Sequence, residues 1–248
     1  LEGVQRQGIA YDYFCTGHYA RIVRPDAGLW HTDVKPAMIA TALDGAKDQT
    51  YFLYRIPSAT LEKVRFPLAE IEKKDVFRIA RENRLAASER AESQDFISPE
   101  YFDMLFSDKE SRPGDIIDLD GHVLGRHRGI EHYTIGQRRG LGVSSVKPLY
   151  VHSIDAENNL VILSGSEDLD VRSLIADDFV WPGNVAPDAP FDAFVKIRLA
   201  SRPIPARVEP YAAQVGESFS GTPYRISFSE SAHAVAPGQS AVLYIDGV

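Results

Sequence analysis

The chain has 248 residues, with 27 lysines and arginines against 35 aspartates and glutamates, a net charge of -8, and 44% hydrophobic residues. That length allows two or three small domains, and no apolar run approaches the ~20 residues that would span a bilayer, nor does a signal-peptide pattern open the chain. The acidic total argues against a protein coated in nucleic acid but leaves room for a local basic strip, and the single cysteine, Cys15, excludes an internal disulfide or a multi-cysteine zinc site, which fits a reducing, cytoplasmic setting.

In chain order, Leu1 to Gly8 reads as the end of an amphipathic helix closed by glycine, with no helix start before it, so the chain is expected to begin inside a domain. Tyr11 to Cys15 is an aromatic-rich strand candidate followed by a polar turn at Thr16-Gly17-His18. Pro36 to Leu43 is a second strand candidate. Asp48 is placed to cap a helix from Gln49 to Arg55, and Ser58 precedes a short helix through Val64. Val76, Phe77, Ile79 and Ala80 recur at helical spacing within Glu72 to Asn83. Ser98-Pro99-Glu100 starts a further helix toward Phe106.

The texture changes at Arg112-Pro113-Gly114. Asp120-Gly121 between two apolar runs signals a hairpin, and Tyr150–Ile154 with Leu160–Leu163 a second one. From about Ser173 the pattern is wholly β, with strands expected at 191–199, 206–208, 224–228 and 241–245, as in a small barrel or sandwich.

The segment His132 to Gly142 contains no acidic residue and sets Arg138 and Arg139 among three glycines. Glycines allow close backbone approach and paired guanidinium groups suit phosphate oxygens, so an anionic partner such as a nucleic-acid backbone is indicated; a solvated basic turn is the plainer alternative. Three more segments join it: Thr16-Gly17-His18-Tyr19-Ala20-Arg21, Lys47-Asp48-Gln49-Thr50-Tyr51-Phe52-Leu53 and Ala236-Pro237-Gly238-Gln239-Ser240-Ala241-Val242. In this order and spacing, together with Phe66-Pro67-Leu68 and Val195-Lys196-Ile197-Arg198, they closely resemble the tRNA-specific 2-thiouridylases (MnmA/TrmU family) over nearly the whole chain.

The resemblance implies an α/β remnant of an ATP-pyrophosphatase (adenine nucleotide α-hydrolase-like) domain over residues 1–106, a small β-rich central domain over 107–172 and a C-terminal β-barrel over 173–248. It implies an enzyme that adenylates the 2-oxygen of the wobble uridine in tRNA, using ATP with Mg2+, and replaces it with sulfur brought by a donor protein. By position, Gly17 matches a glycine whose backbone meets the adenine nucleotide. His18, Lys47, Asp48, Gln49, Arg198 and Gln239 match tRNA-contacting residues, and Arg138 and Arg139 are expected to hold phosphates.

Each has a bland counterpart: Gly17 a tight turn, His18 a structural histidine, Asp48 an N-cap, Lys47 a solvated charge, Arg198 an outward strand residue, Gln239 a turn residue. The family's Ser-Gly-Gly-Val-Asp-Ser phosphate loop does not occur in the chain, and the family's persulfide cysteine, expected after Glu92-Ser93-Gln94, is missing, either by deletion or by replacement with Asp95. Cys15 is the only thiol in the sequence, and its strand setting reads as a buried small hydrophobe rather than a nucleophile. The expectation is a chain that keeps the tRNA-docking parts, has no catalytic cysteine and is inactive alone. The rival readings are a degenerate tRNA-binding paralogue and an ATP-pyrophosphatase acting on a small molecule.

Overall fold

Residues 3, 6–26, 28–30, 33, 35–85 and 111–248 are described by the computed structural model, and the chain divides into two units. The first joins residues 1–90 to 173–229 and 240–248; the second comprises 91–172 and 230–239.

In the first unit, the amino-terminal part is built of short pieces. Gly3 and Arg6 are helical and Gly8 takes φ +71°, the left-handed conformation that lets glycine end a helix. Strand β1 (Phe14–Cys15) is only two residues long and pairs in parallel with β4 (Val64–Arg65). Strand β2 (Arg21–Val23), which the sequence pattern did not mark, pairs antiparallel with β3 (Met38–Ala40). Helix α1 (Thr50–Leu53) is a single turn, shorter than expected, and α2 (Ser58–Leu61) ends before Val64, which enters β4. Helix α3 (Lys73–Glu82) matches its predicted span to within a residue at each end. Ala20, Leu53, Val64 and Phe66 form the core between these pieces. The helix expected to lead to Phe106, and the segment around Asp95, lie outside the described residues.

The second unit carries a four-stranded sheet. Strand β5 (Gly114–Ile117) pairs antiparallel with β6 (Val123–His127) and parallel with β8 (Leu160–Ser164); β7 (Tyr150–Asp155) pairs antiparallel with β8, giving the order β6-β5-β8-β7. Both expected hairpins are present. Ile116, Leu141, Val151, Val161 and Leu163 form the buried centre.

Strand β9 (Asp170–Ala176), β10 (Phe191–Lys196), β11 (Ile204–Pro210), β12 (Tyr224–His233) and β13 (Val242–Tyr244) make a five-stranded sheet in the order β13-β10-β11-β12-β9. Alternate residues of β10 and β11 (Phe191, Ala193, Val195; Ile204, Ala206, Val208) are buried while their neighbours face outward, so one face is core. Among the described pairings this order is open, with β13 and β9 at its edges.

Aromatic rings join the amino-terminal pieces of the first unit to its sheet. Trp30 stacks on Trp181 at 5.8 Å between ring centroids, Trp181 stacks on Phe179 at 4.7 Å, and Phe191 and Tyr224 meet Trp181 edge-on. The Trp30 indole N–H donates to the Val185 carbonyl at 2.9 Å, satisfying the one polar atom of a buried ring. The Gly183 amide donates to Ser58 Oγ at 3.1 Å, and the Thr41 amide to the Gly247 carbonyl at 2.9 Å.

Candidate nucleic-acid interface

The arginine–glycine segment is a loop fastened at several points in the second unit. It follows a 3-10 turn at Ile130–His132. The Gly136 amide donates to the Val151 carbonyl at 2.8 Å, and the Val151 amide returns a bond to the Gln137 carbonyl at 2.9 Å, tying the loop to β7. The Gln137 side-chain amide spans the loop: its oxygen accepts from the Thr134 amide and its nitrogen donates to the Arg139 carbonyl, each at 3.0 Å.

Leu141 then drops into the sheet core, 6% exposed, between Gly140 (φ +74°) and Gly142 (φ +70°). Those two backbone angles strain any residue with a Cβ, and they let the chain enter and leave the core within three residues. The consequence is that Arg138 and Arg139 stand exposed on a fixed backbone. Leu141 and Gln137 carry the geometry; a lone apolar residue between glycines was the signal for the first, and nothing in the sequence marked the second.

The other candidates, apart from Gln239, belong to the first unit. Gly17 is exposed, and a Cβ added there would meet only Leu68 Cδ1 at an ordinary 3.8 Å, so no crowding demands glycine. His18 is half-buried, with Nδ1 2.7 Å from Thr16 Oγ1 and its ring edge-on to Phe66. Gln49 pairs with Tyr19 in both directions: the Tyr19 amide donates to Gln49 Oε1 at 3.0 Å and the Gln49 amide to the Tyr19 carbonyl at 2.9 Å. The His18 loop and the Lys47-Asp48-Gln49 segment are thereby held side by side.

Asp48 serves the fold. Its Oδ1 accepts from the Ala42 amide at 3.0 Å, and Oδ2 accepts from the Thr50 hydroxyl at 2.5 Å and, at a long 3.4 Å, from the Thr50 amide. The N-cap expectation is met in part: Gln49 occupies the cap position, and Asp48 reaches the first helical residue from one position earlier. Thr50 Oγ1 in turn lies 2.9 Å from the Tyr244 hydroxyl. Because the Thr50 proton is committed to a carboxylate that can only accept, Tyr244 must be the donor. Burial first of all pushes the Tyr244 phenol up to about 12.

Tyr51, next along α1, has its hydroxyl 3.0 Å from the Ile197 carbonyl and 3.1 Å from the Ser240 carbonyl, and the Tyr54 hydroxyl lies 2.7 Å from Ser240 Oγ. Ile197 and Ser240 are the chain neighbours of Arg198 and Gln239, so one phenol gathers the backbone of three separate motifs. Burial, then Tyr54, raises the Tyr51 phenol above its ordinary range, against an opposing pull from the Arg198 charge.

Arg198 itself sits beyond the end of β10, in a turn closed by Ser201, whose hydroxyl donates to the Arg198 carbonyl at 2.8 Å and accepts from the Arg198 amide at 3.1 Å. It is half-buried, and the plainer alternative of an outward strand residue does not describe it, since the strand ends at Lys196. Gln239, in the second unit, is exposed and closes the turn over Pro237-Gly238: its amide donates to the Ala236 carbonyl and its Oε1 accepts from the Ala236 amide. The expectation of a buried Cys15 is corrected: the thiol is exposed, because β1 is short and its side chains face outward.

Three family models match in succession: the tRNA methyl transferase HUP domain over residues 2–98, the tRNA methyl transferase PRC-barrel domain over 103–165 and the aminomethyltransferase β-barrel domain over 171–248. The chain is 41% identical over 240 residues to the tRNA-specific 2-thiouridylase MnmA 1 of Syntrophus aciditrophicus, covering 95% of this chain and 59% of that protein. It is 40% identical over 238 residues to the tRNA-specific 2-thiouridylase MnmA of Synechococcus sp. (94% and 62%) and 39% identical over 254 residues to that of Chlorobium phaeobacteroides (99% and 66%). The chain thus spans about three fifths of the length of these relatives.

Proposed function

Given that the chain belongs to the family of tRNA-specific 2-thiouridylases, we propose that it docks tRNA for ATP-dependent thiolation of the wobble uridine, with the anticodon region as its target. The observation that carries this reading is the anchored loop: two arginines held in solvent on a rigid, acid-free segment of a chain whose net charge is -8. Phosphate contacts need cations fixed in register, and RNA loops are recognised through backbone, shape and splayed bases.

In this reading Arg138, Arg139, Lys47 and Arg198 hold phosphates, while His18 and Gln49 lie nearer the unpaired bases and Gln239 adds a polar contact. Asp48 contributes indirectly, by fixing the backbone between Lys47 and Gln49. ATP, when bound, supplies the adenylyl group that makes the uridine oxygen a leaving group. The exposed backbone at Gly17 fits an approach by the adenine moiety, whereas the Ser-Gly-Gly-Val-Asp-Ser loop for the pyrophosphate does not occur in these residues. Sulfur would come from a donor protein, in a cytoplasmic setting; no helix among the described residues is long and apolar enough to cross a membrane.

The test is tRNA binding by the chain across a range of salt concentrations. Retention is expected, with log Kd linear in log salt, and Arg138→Ala or Lys47→Ala should each lower the slope by about one. An unchanged slope in both variants, or no retention at low salt, overturns the docking role.

A further inference from the structure

The loop borders a concavity that the phosphate-docking reading leaves unused. A hollow of about 270 Å³ in the second unit is lined by Arg138, Gly140 to Val143, Ser145 and the segment Lys147-Pro148-Leu149. Its lining separates into two chemistries. Arg138 and Lys147 are exposed cations and Ser145 offers a hydroxyl, whereas Leu141, Val143, Pro148 and Leu149 give apolar surface continuous with the sheet core. No carboxylate is among the lining residues, and none occurs anywhere from His132 to Ile154, a stretch of 23 residues bearing Arg138, Arg139 and Lys147.

A Cβ added at Gly142 would meet nothing within 4 Å, so the backbone there borders open space. The wall is stiff, because Leu141 is part of the buried cluster of the sheet and Val143 and Leu149 pack against that cluster. The size matters too. Small-molecule sites commonly run from about 300 to 1,000 Å³, so this hollow falls just short of that range, room for one planar ring and its phosphate and nothing larger.

We propose that this hollow is a single-nucleotide subsite. One unstacked pyrimidine nucleotide of a single-stranded RNA loop lies with its ring on Pro148 and Leu149, over the buried Leu141, and its phosphate bridges Arg138 and Lys147. Apolar contact with the face of a base tolerates any base, and charge alone tolerates any anion; the two together select a nucleotide. This rests on the RNA-docking reading and adds Lys147, outside every motif that suggested that reading, as a binding residue.

The experiment titrates the 248-residue chain with uridine 5′-monophosphate, with uridine and with inorganic phosphate, following backbone amide chemical shifts. Saturable shifts are expected at Gly140, Gly142 and Ser145 with the nucleotide. Uridine or phosphate alone should bind at least tenfold more weakly, and Lys147→Ala should weaken the nucleotide at least tenfold. An equal response to phosphate, marking an anion patch only, or no saturable shift at these residues, overturns the subsite. A 4-thiouridine-substituted anticodon stem-loop, cross-linked and mapped by mass spectrometry, separates this proposal from the broader one. Cross-links within residues 138–149 support the subsite. A stem-loop that binds but cross-links only elsewhere overturns the subsite and leaves tRNA docking standing; nucleotide binding without stem-loop binding overturns tRNA docking and leaves the subsite standing.

Discussion

Asp48 illustrates how a residue of a recognition motif can be occupied with holding the motif together. Its carboxylate accepts from Ala42 and Thr50, and through Thr50 it terminates a hydrogen-bond chain that starts at Tyr244 on β13. Removing it strands the Ala42 amide and the Thr50 hydroxyl, so Asp48→Ala should cost about 2–3 kcal/mol in urea unfolding. Tyr244 gives that chain a pH limit. An unfolded chain loses the phenol proton near pH 10, while the folded state keeps it to about 12. Between those values the native state binds more protons, so stability falls as pH rises, by about 1.4 kcal/mol per unit from this group. Tyr244→Phe should cost about 1 kcal/mol at neutral pH and show a flatter loss of stability between pH 10 and 12; matching alkaline profiles for the two proteins would refute the assignment. The sequence made Asp48 legible as a capping residue because capping is local. Its bonds to Ala42 and, through Thr50, to Tyr244 join residues up to 196 positions apart, which no local pattern encodes.

Helix α1 shows the same division among elements. Four residues cannot sustain an isolated helix, since nucleation is unfavourable and one turn adds too few bonds to offset it. The helix exists because Tyr51 and Tyr54 anchor it to the turns after β10 and before β13. Its predicted extent, through Arg55, ran past the true end because a capping residue marks where a helix starts and says nothing about where tertiary contacts stop it. Tyr51→Phe should lower stability by about 1 kcal/mol. If Arg198 grips phosphate, it should also weaken tRNA binding while leaving the salt slope unchanged, because no cation is lost; normal tRNA affinity would show that the anchoring of α1 is irrelevant to docking. The two hairpins of the second unit were legible for the opposite reason: an Asp-Gly pair or a short polar loop between apolar runs is a local instruction. Strand β2 was not, being three residues long and defined only by its partner. Among the site residues, the arginines of the loop could be read from composition, whereas the half-buried turn position of Arg198 and the exposure of Cys15 depend on where strands end.

Across the whole molecule, the tryptophans show what unites the first unit. Trp30 lies in a segment with little regular structure, yet it is 7% exposed, stacked on Trp181 and hydrogen-bonded to Val185. Trp30→Ala should destabilise by about 3–5 kcal/mol, with loss of the cooperative unfolding of residues 1–85 with the five-stranded sheet; separate transitions in the unaltered protein would contradict this unity. The bond between Thr41 and Gly247 joins residues 206 positions apart. At a synthesis rate of roughly 5–20 residues per second, the early segment waits on the order of 10–40 seconds on the ribosome before its last partner emerges. Until Trp181 emerges, Trp30 has no tryptophan ring to stack on, and its indole stays open to water or to other apolar surface while the rest of the first unit is made.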